Sequence, residues 1–351
     1  MSGEATLPRE ALTGLLADLA STGAVTLKNG DLFANWARGG DWDVLVRDLP
    51  EAESKLVERL GLPDRVSCRS YVRAYFYPWG EIDLLPDWNW RGARLLDRAA
   101  LFAAAEWKPA GVFPVVGIAH EATIAWFNSI LWAGVFNPRY ASVVERAVKE
   151  DPRRFQHVLQ AVFGARWRRR LWRLADGGRP GAAVRDAAGL RRAVLLRALA
   201  RNPLGTVAAW VQLWSAEITL RRRPVVPWVW ADCRNADAMV ERIRALAAQA
   251  GSGLAGVRLY SWPEGPAPFS LLKALLQYWG PLVKDRANGQ LVVFVPGSGS
   301  SWSVTAYRWM SSSPDLDLRT EKVSAEQVWR RLRGEMQRRA AALVGAGTGS
   351  R

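Results

Sequence analysis

Leu12, Leu15, Leu16 and Leu19 recur at three- and four-residue spacing, which predicts an amphipathic helix over residues 8–23, opened by Pro8 and closed by Gly23. AVTLKNG (24–30) reads as a short strand that breaks at Asn29-Gly30, and GGDWDVLVRD (39–48) as the next strand. LPEAESKLVERLGL follows as a helix with Leu56 and Leu60 one turn apart. RVSCRSYVRAYFYP (65–78) alternates, with Val66, Cys68, Val72, Ala74 and Phe76 on one side and Arg69, Tyr71, Arg73 and Tyr75 on the other. That period of two predicts one half-exposed strand, turning at Pro78-Trp79-Gly80 into an antiparallel return over EIDLLPD (81–87).

From about residue 95 the pattern becomes helical. HEATIAWFNSILWAGVF (120–136) and PLGTVAAWVQLWSAEITLRRRP (203–224) are too short or too polar to span a bilayer and read first as buried helices. The second also suits a helix lying on a membrane surface, with Trp210 and Trp214 one turn apart and arginines at its end. After residue 224 strands and helices alternate. VVPWVW, VRLYSW and QLVVFVPG are strands, NADAMVERIRALAAQAG and SLLKALLQYWGPLV are helices, and a last helix spans 324–344. Such alternation predicts a parallel sheet. The expected class is therefore α/β. A small mixed sheet with helices (1–118) precedes a basic helical middle (119–222), a parallel α/β unit (223–345) and a frayed tail (346–351).

Charge changes this picture in one respect. The net formal charge is +15, concentrated in RWRRRLWRL (166–174), LRRAVLLRALAR (190–201) and LRRRP (220–224). A basic surface of this kind meets anionic lipid, an anionic polymer or nucleic acid, and nucleic acid ranks behind the others because charge alone suggests it. Two cysteines, Cys68 and Cys233, lie outside any CxxC spacing, and two histidines, His120 and His157, cannot build a histidine-rich centre. With no secretory pattern at the start, the expected location is the cytoplasm, with peripheral contact at the inner face of the membrane. A catalytic metal would have to sit on carboxylates, which selects magnesium or manganese.

The carboxylates for such a site are Asp41 and Asp43, which point the same way in a strand while Trp42, Val44 and Val46 face the core. Side by side they repel unless a cation lies between them. Asp83, with Ile82 and Leu84 opposite, can supply a third ligand. Glu81 shares its side and is the weaker candidate. Gly39 and Gly40, just before the motif, allow a ligand close to the backbone.

TLKNGDL, GGDWDVLVRDL and EIDLLPDWNWRGARLL, in that order, resemble the minimal nucleotidyltransferase fold of the DNA polymerase beta superfamily. More narrowly, the chain resembles bacterial proteins of surface-polysaccharide gene clusters. In those, such a domain precedes a helical linker and a P-loop kinase-like domain of the thymidylate kinase type. The resemblance implies that Asp41, Asp43 and Asp83 are catalytic metal ligands. It implies a nucleoside triphosphate as substrate and a saccharide or related acceptor. The family's Gly-Ser, which holds the triphosphate, is replaced by LKNG, so Asn29 and Gly30, with Gly39 and Gly40, are the expected nucleotide contacts. In the kinase-like part, Ala231 and Ala236 stand where the phosphate loop has glycines, Asp237 where it has lysine and Ala238 where it has a hydroxyl residue. An aspartate aimed at phosphates repels them, so this unit is expected to be a pseudokinase. Two readings stay open: a metal-dependent nucleotidyltransferase, or a non-catalytic scaffold that binds an anionic partner through its arginine-rich middle.

Overall fold

The computed structural model describes residues 8–28, 41–69, 72–107, 113–222, 228–231, 236–249, 256–261, 290–295, 316–318 and 324–348. The fold is α/β with a mixed seven-stranded sheet and a smaller parallel one. Helix α1 (Arg9–Ser21) buries the four predicted leucines. Strands β1 (Val25–Thr26) and β2 (Asp41–Leu45) follow, then α2 (Leu49–Leu60), capped by Asp48, whose side chain accepts from the Glu51 amide.

The alternating stretch 65–78 is two strands and not one. β3 (Arg65–Arg69) and β4 (Val72–Tyr77) form a hairpin that pairs Val66 with Tyr75. Tyr75, expected on the polar side, is fully buried, with its hydroxyl donating to Glu53 Oε1 at 2.7 Å. A period of two is preserved by both arrangements, so the pattern alone cannot tell a long strand from a tight hairpin. Strand β5 (Gly80–Leu85) returns antiparallel to β4 as expected and also pairs in parallel with β2. Further on come β6 (Asn89–Trp90), β7 (Ala93–Arg94), α3 (Arg98–Ala103), β8 (Ala105–Glu106) and β9 (Val115–Val116). The large sheet runs β3-β4-β5-β2-β1-β9-β8, with β6 and β7 as a separate hairpin.

Both faces of this sheet are covered. α1 and α2 pack with Trp42, Val44, Val46, Ile82 and Leu84 on one side. On the other, Val25, Leu27, Leu45 and Leu85 join a core shared with the helical middle, so residues on either side of position 118 share one hydrophobic cluster. That middle consists of α4 (Ile118–Ala133), a 3₁₀ turn (Pro138–Tyr140), α5 (Ala141–Glu150), α6 (Pro152–Phe163), α7 (Ala165–Asp176), α8 (Ala187–Arg201) and α9 (Pro203–Arg222). α4 is buried along most of its length, as its composition predicts. α9 differs from its first reading as a buried helix. Leu204, Val207, Val211 and Trp214 are exposed.

Beyond residue 227, β10 (Trp228–Ala231), α10 (Ala236–Gln249), β11 (Gly256–Ser261) and β12 (Gln290–Val295) fall in the expected strands and helix, all strand pairs being parallel. β13 (Leu316–Leu318), which sequence reading missed, extends the sheet beside β10. The helix read over 270–283 lies outside the described residues. The last helix, α11 (Ala325–Thr348), runs into the stretch expected to be a frayed tail. It packs Val328, Leu332 and Met336 against α10 and β11, and inserts Ala340 and Val344 into the core beneath α1 and α2. Arg333 donates to both oxygens of buried Asp64 at 3.0 and 3.1 Å, and Gln337 adds a third bond at 3.0 Å.

Removing Asp64 leaves that clasp without its acceptor. Asp64→Ala should destabilise the fold by about 2–3 kcal/mol and Gln337→Ala by about 1 kcal/mol, read from urea denaturation midpoints. Equal, near-zero effects would mean that α11 is held by its apolar face alone.

Candidate metal centre

Parallel pairing of β2 with β5 sets the geometry. The register places Asp41 beside Glu81 and Asp43 beside Asp83. Because side chains alternate along a strand, all four carboxylates share one side of the sheet, while Trp42 and Ile82 pack into the core on the other. Two residues further on, Leu45 and Leu85 occupy the same side and enter the hydrophobic core. The acidic face is thus a rim that closes into apolar packing. The Asp41 side chain keeps 32% of its exposure and that of Asp43 only 11%. Trp42 fixes the strand from behind, donating to Thr26 Oγ1 at 2.8 Å and meeting Phe113 edge-on at 5.2 Å.

One oxygen from each of Asp41, Asp43 and Asp83 lies within 4.8 Å of the others. The three residues singled out in the sequence are therefore brought together. Asn29, Gly30, Gly39 and Gly40, the expected nucleotide contacts, lie outside the described residues, as does Cys233. In the smaller unit Ala231 ends β10, and Ala236, Asp237 and Ala238 begin α10.

Sequence reading missed the cation in the middle. Lys28, 5% exposed, sets its ammonium 3.1 Å from Asp41 Oδ2 and 2.6 Å from Asp43 Oδ2. Asp43 Oδ2 nonetheless receives no well-aligned hydrogen bond, so this contact is ionic in character. Arg139, from the 3₁₀ turn after α4, stands 4.0 Å from Asp41 Oδ1 and donates to the Tyr140 hydroxyl. Burial pushes Asp41 upward, but the Lys28 charge and hydrogen bond, helped by Arg139, outweigh it and hold the carboxyl below its ordinary range. The other strand behaves oppositely. Burial, and then the charges of Glu81 and Asp41, drive Asp83 well above the usual carboxylate range. Glu81 is raised by burial and by Asp41, and the two side chains share a hydrogen bond. Asp83 Oδ1 is buried with no hydrogen-bond partner among the described residues.

Four carboxylates face one buried lysine and a more distant Arg139, so negative charge is in excess. An all-oxygen donor set with that excess fits magnesium or manganese, and Asp83 Oδ1 is a buried ligand atom with no hydrogen-bond partner among the described residues. Comparisons with protein-family models, curated proteins and solved structures each return no match. The residues themselves carry the reading.

His120 and Glu121 lie buried in the first turn of α4, where the carboxylate suits the helix dipole. Burial, followed by the Arg154 charge and with His157 adding to it against Asp151, lowers His120 to about 4, and its Nδ1 has no hydrogen-bond partner among the described residues. This is a neutral core histidine.

Two outcomes follow from these charges. Asp83 is ionised in the unfolded chain above its ordinary pKa but resists ionisation when folded, so its contribution to stability is lost as pH rises through the folded value. Asp83→Asn should therefore raise the melting temperature at pH 8 without metal by a few degrees, and should abolish the further rise expected of the wild type if the cluster takes up manganese. His120 is the reverse case: its folded pKa lies below the unfolded one, so stability is full above about pH 6.5 and falls as pH drops towards about 4. The slope in that window is at most about 1.4 kcal/mol per pH unit. His120→Gln should flatten it in urea titrations at pH 5 and pH 7.

Proposed function

We propose that this chain is a divalent-metal-dependent nucleotidyltransferase of the DNA polymerase beta type. It would transfer a nucleotidyl group from a nucleoside triphosphate to a hydroxyl of a saccharide-type acceptor. The observation that carries the reading is the parallel register of β2 and β5, which sets Asp83 against Asp43 with Asp41 at the open rim. A third carboxylate from a strand forty residues downstream, converging on a DxD pair, is more than a polar strand entrance needs.

Asp41, Asp43 and Asp83 would hold the metal. When bound, it neutralises triphosphate charge and lowers the pKa of the attacking hydroxyl. The chain's own residues do the rest. Arg139, already beside the rim, is placed to pair with a phosphate oxygen. Lys28 holds the two aspartates together, and with a metal in their midst its ammonium would be available to a phosphate oxygen. Leu45 and Leu85 close the floor of the site and keep water from its inner end. The smaller parallel unit, with Ala236 and Asp237 where a phosphate loop has glycine and lysine, would serve as a packed, non-catalytic partner. Nothing in the reading requires a compartment other than the cytoplasm.

A second reading is favoured by Lys28 itself. Its ammonium occupies the place between Asp41 and Asp43 that a cation would take, as in a scaffold whose counter-ion is built in. Calorimetry with the four nucleoside triphosphates and magnesium separates the two, using wild type, Asp41→Ala with Asp43→Ala, and Lys28→Met. Under the transferase reading the wild type binds one triphosphate with magnesium, the double variant loses binding, and Lys28→Met weakens it about tenfold or more. Absence of triphosphate binding in wild type and in Lys28→Met alike would sink that reading and leave the scaffold.

A further inference from the structure

Helix α9 presents a continuous apolar stripe to solvent. Leu204 is 82% exposed, Val211 64% and Trp214 74%, with Val207 between them at 48%. Their spacing of three, four and three residues keeps them on one face for three turns. The orientation is held from behind. Thr206 is buried, and Trp210 packs against Gly92 of the β6–β7 hairpin. A Cβ at Gly92 would come within 2.8 Å of the Trp210 ring, so the glycine is what lets the helix seat this closely. The exposed face is therefore fixed outward and does not turn in to a core.

Charge around the stripe is one-sided. From Asn202 to Ala216 the sequence holds no ionisable residue; Arg197 and Arg201 precede the stretch, and a single acid, Glu217, is outnumbered by Arg221, Arg222 and Arg223 after it. Arg192 and Arg201 are exposed on α8, beside the equally exposed Leu196. No helix among the described residues is long and apolar enough to cross a membrane. The exposed leucine, valines and tryptophan supply apolar surface that a helix lying on a bilayer can bury, and the arginines beyond its two ends supply charge that anionic headgroups attract. Tryptophan sits at the headgroup boundary, and the arginines meet anionic headgroups. A second copy of this chain is disfavoured as the occupant, because it would bring another +15 of net charge to the same flanks.

We propose that α9 is a membrane-surface anchor, laying Leu204, Val207, Val211 and Trp214 into the interface of an anionic phospholipid bilayer. The proposal is independent of the nucleotidyltransferase reading. It also gives the basic middle a role: its charge attracts the protein to the surface, and the stripe holds it there.

Flotation of the full-length protein with vesicles of phosphatidylglycerol and phosphatidylcholine, and with phosphatidylcholine alone, tests it. Wild type should float with the anionic vesicles and not with the neutral ones. Leu204→Gln, Val211→Gln and Trp214→Ser together should cut the bound fraction at least about tenfold with an unchanged melting temperature, since all three side chains are exposed. Part of the wild-type binding should survive ~0.5 M salt, where charge is screened within a few Å. Three results would overturn the proposal. One is wild type that stays out of anionic vesicles. Another is a triple variant that floats as well as wild type. The third is a wild-type dimer in sedimentation that the triple substitution turns into monomer, which would make the stripe a contact between copies.

Discussion

Everything near the candidate site depends on laying β2 in parallel with β5, because that pairing forces carboxylates together where water is scarce. Repulsion among Asp41, Asp43, Glu81 and Asp83 would oppose the pairing unless something positive or a proton intervenes. The chain uses both. Lys28 sits between the β2 pair, and burial with the neighbouring acids raises Asp83 and Glu81 and so favours a protonated form on β5. The hydrophobic cores on the two faces then supply the driving force that keeps these groups in register. Without packing behind Trp42 and below Leu45, four acids on neighbouring strands would separate and solvate.

The two strands therefore differ in charge state although their acids are matched residue by residue. Asp41 is held below its ordinary range by cations that reach it from just beyond β1 and from the turn after α4. Asp83 has no cation at contact distance among the described residues and is pushed well above the usual range by burial and by its acidic neighbours. A site of this kind is conditional: a divalent ion placed here would compete with protonation of Asp83 and with the Lys28 ammonium. Affinity for metal should then rise with pH for a reason located on β5, while the position of Lys28 depends on β2.

Much of this was legible in the sequence, in proportion to how local the cause was. The face of α1, the burial of Trp42 and Val44 behind two aspartates, the return strand carrying Asp83 and the parallel character of the second sheet follow from spacing alone. What escaped depends on partners distant in sequence. The hairpin at 65–77 preserves the alternation of a single strand, so only the burial of Tyr75 on Glu53 reveals it. Lys28 reads as an ordinary strand-end lysine until β1 and β2 are paired. α9 has the composition of a buried helix and also suits a surface-lying one, and its residues alone do not decide between them because the choice depends on which face the rest of the fold covers. β13 is three residues long, too short for any periodicity.

The docking of α11 has a consequence for how the molecule comes into being. Ala340 and Val344 complete the core that backs β2 and β5, and Arg333 closes on Asp64 from 269 positions away. The core behind the acidic sheet is therefore closed by contacts very distant in sequence, whose loop-closure entropy must be met before packing repays it. Completion of that core is thus tied to the arrival of α11, so a change on this helix far from the carboxylates is felt by the sheet that carries them.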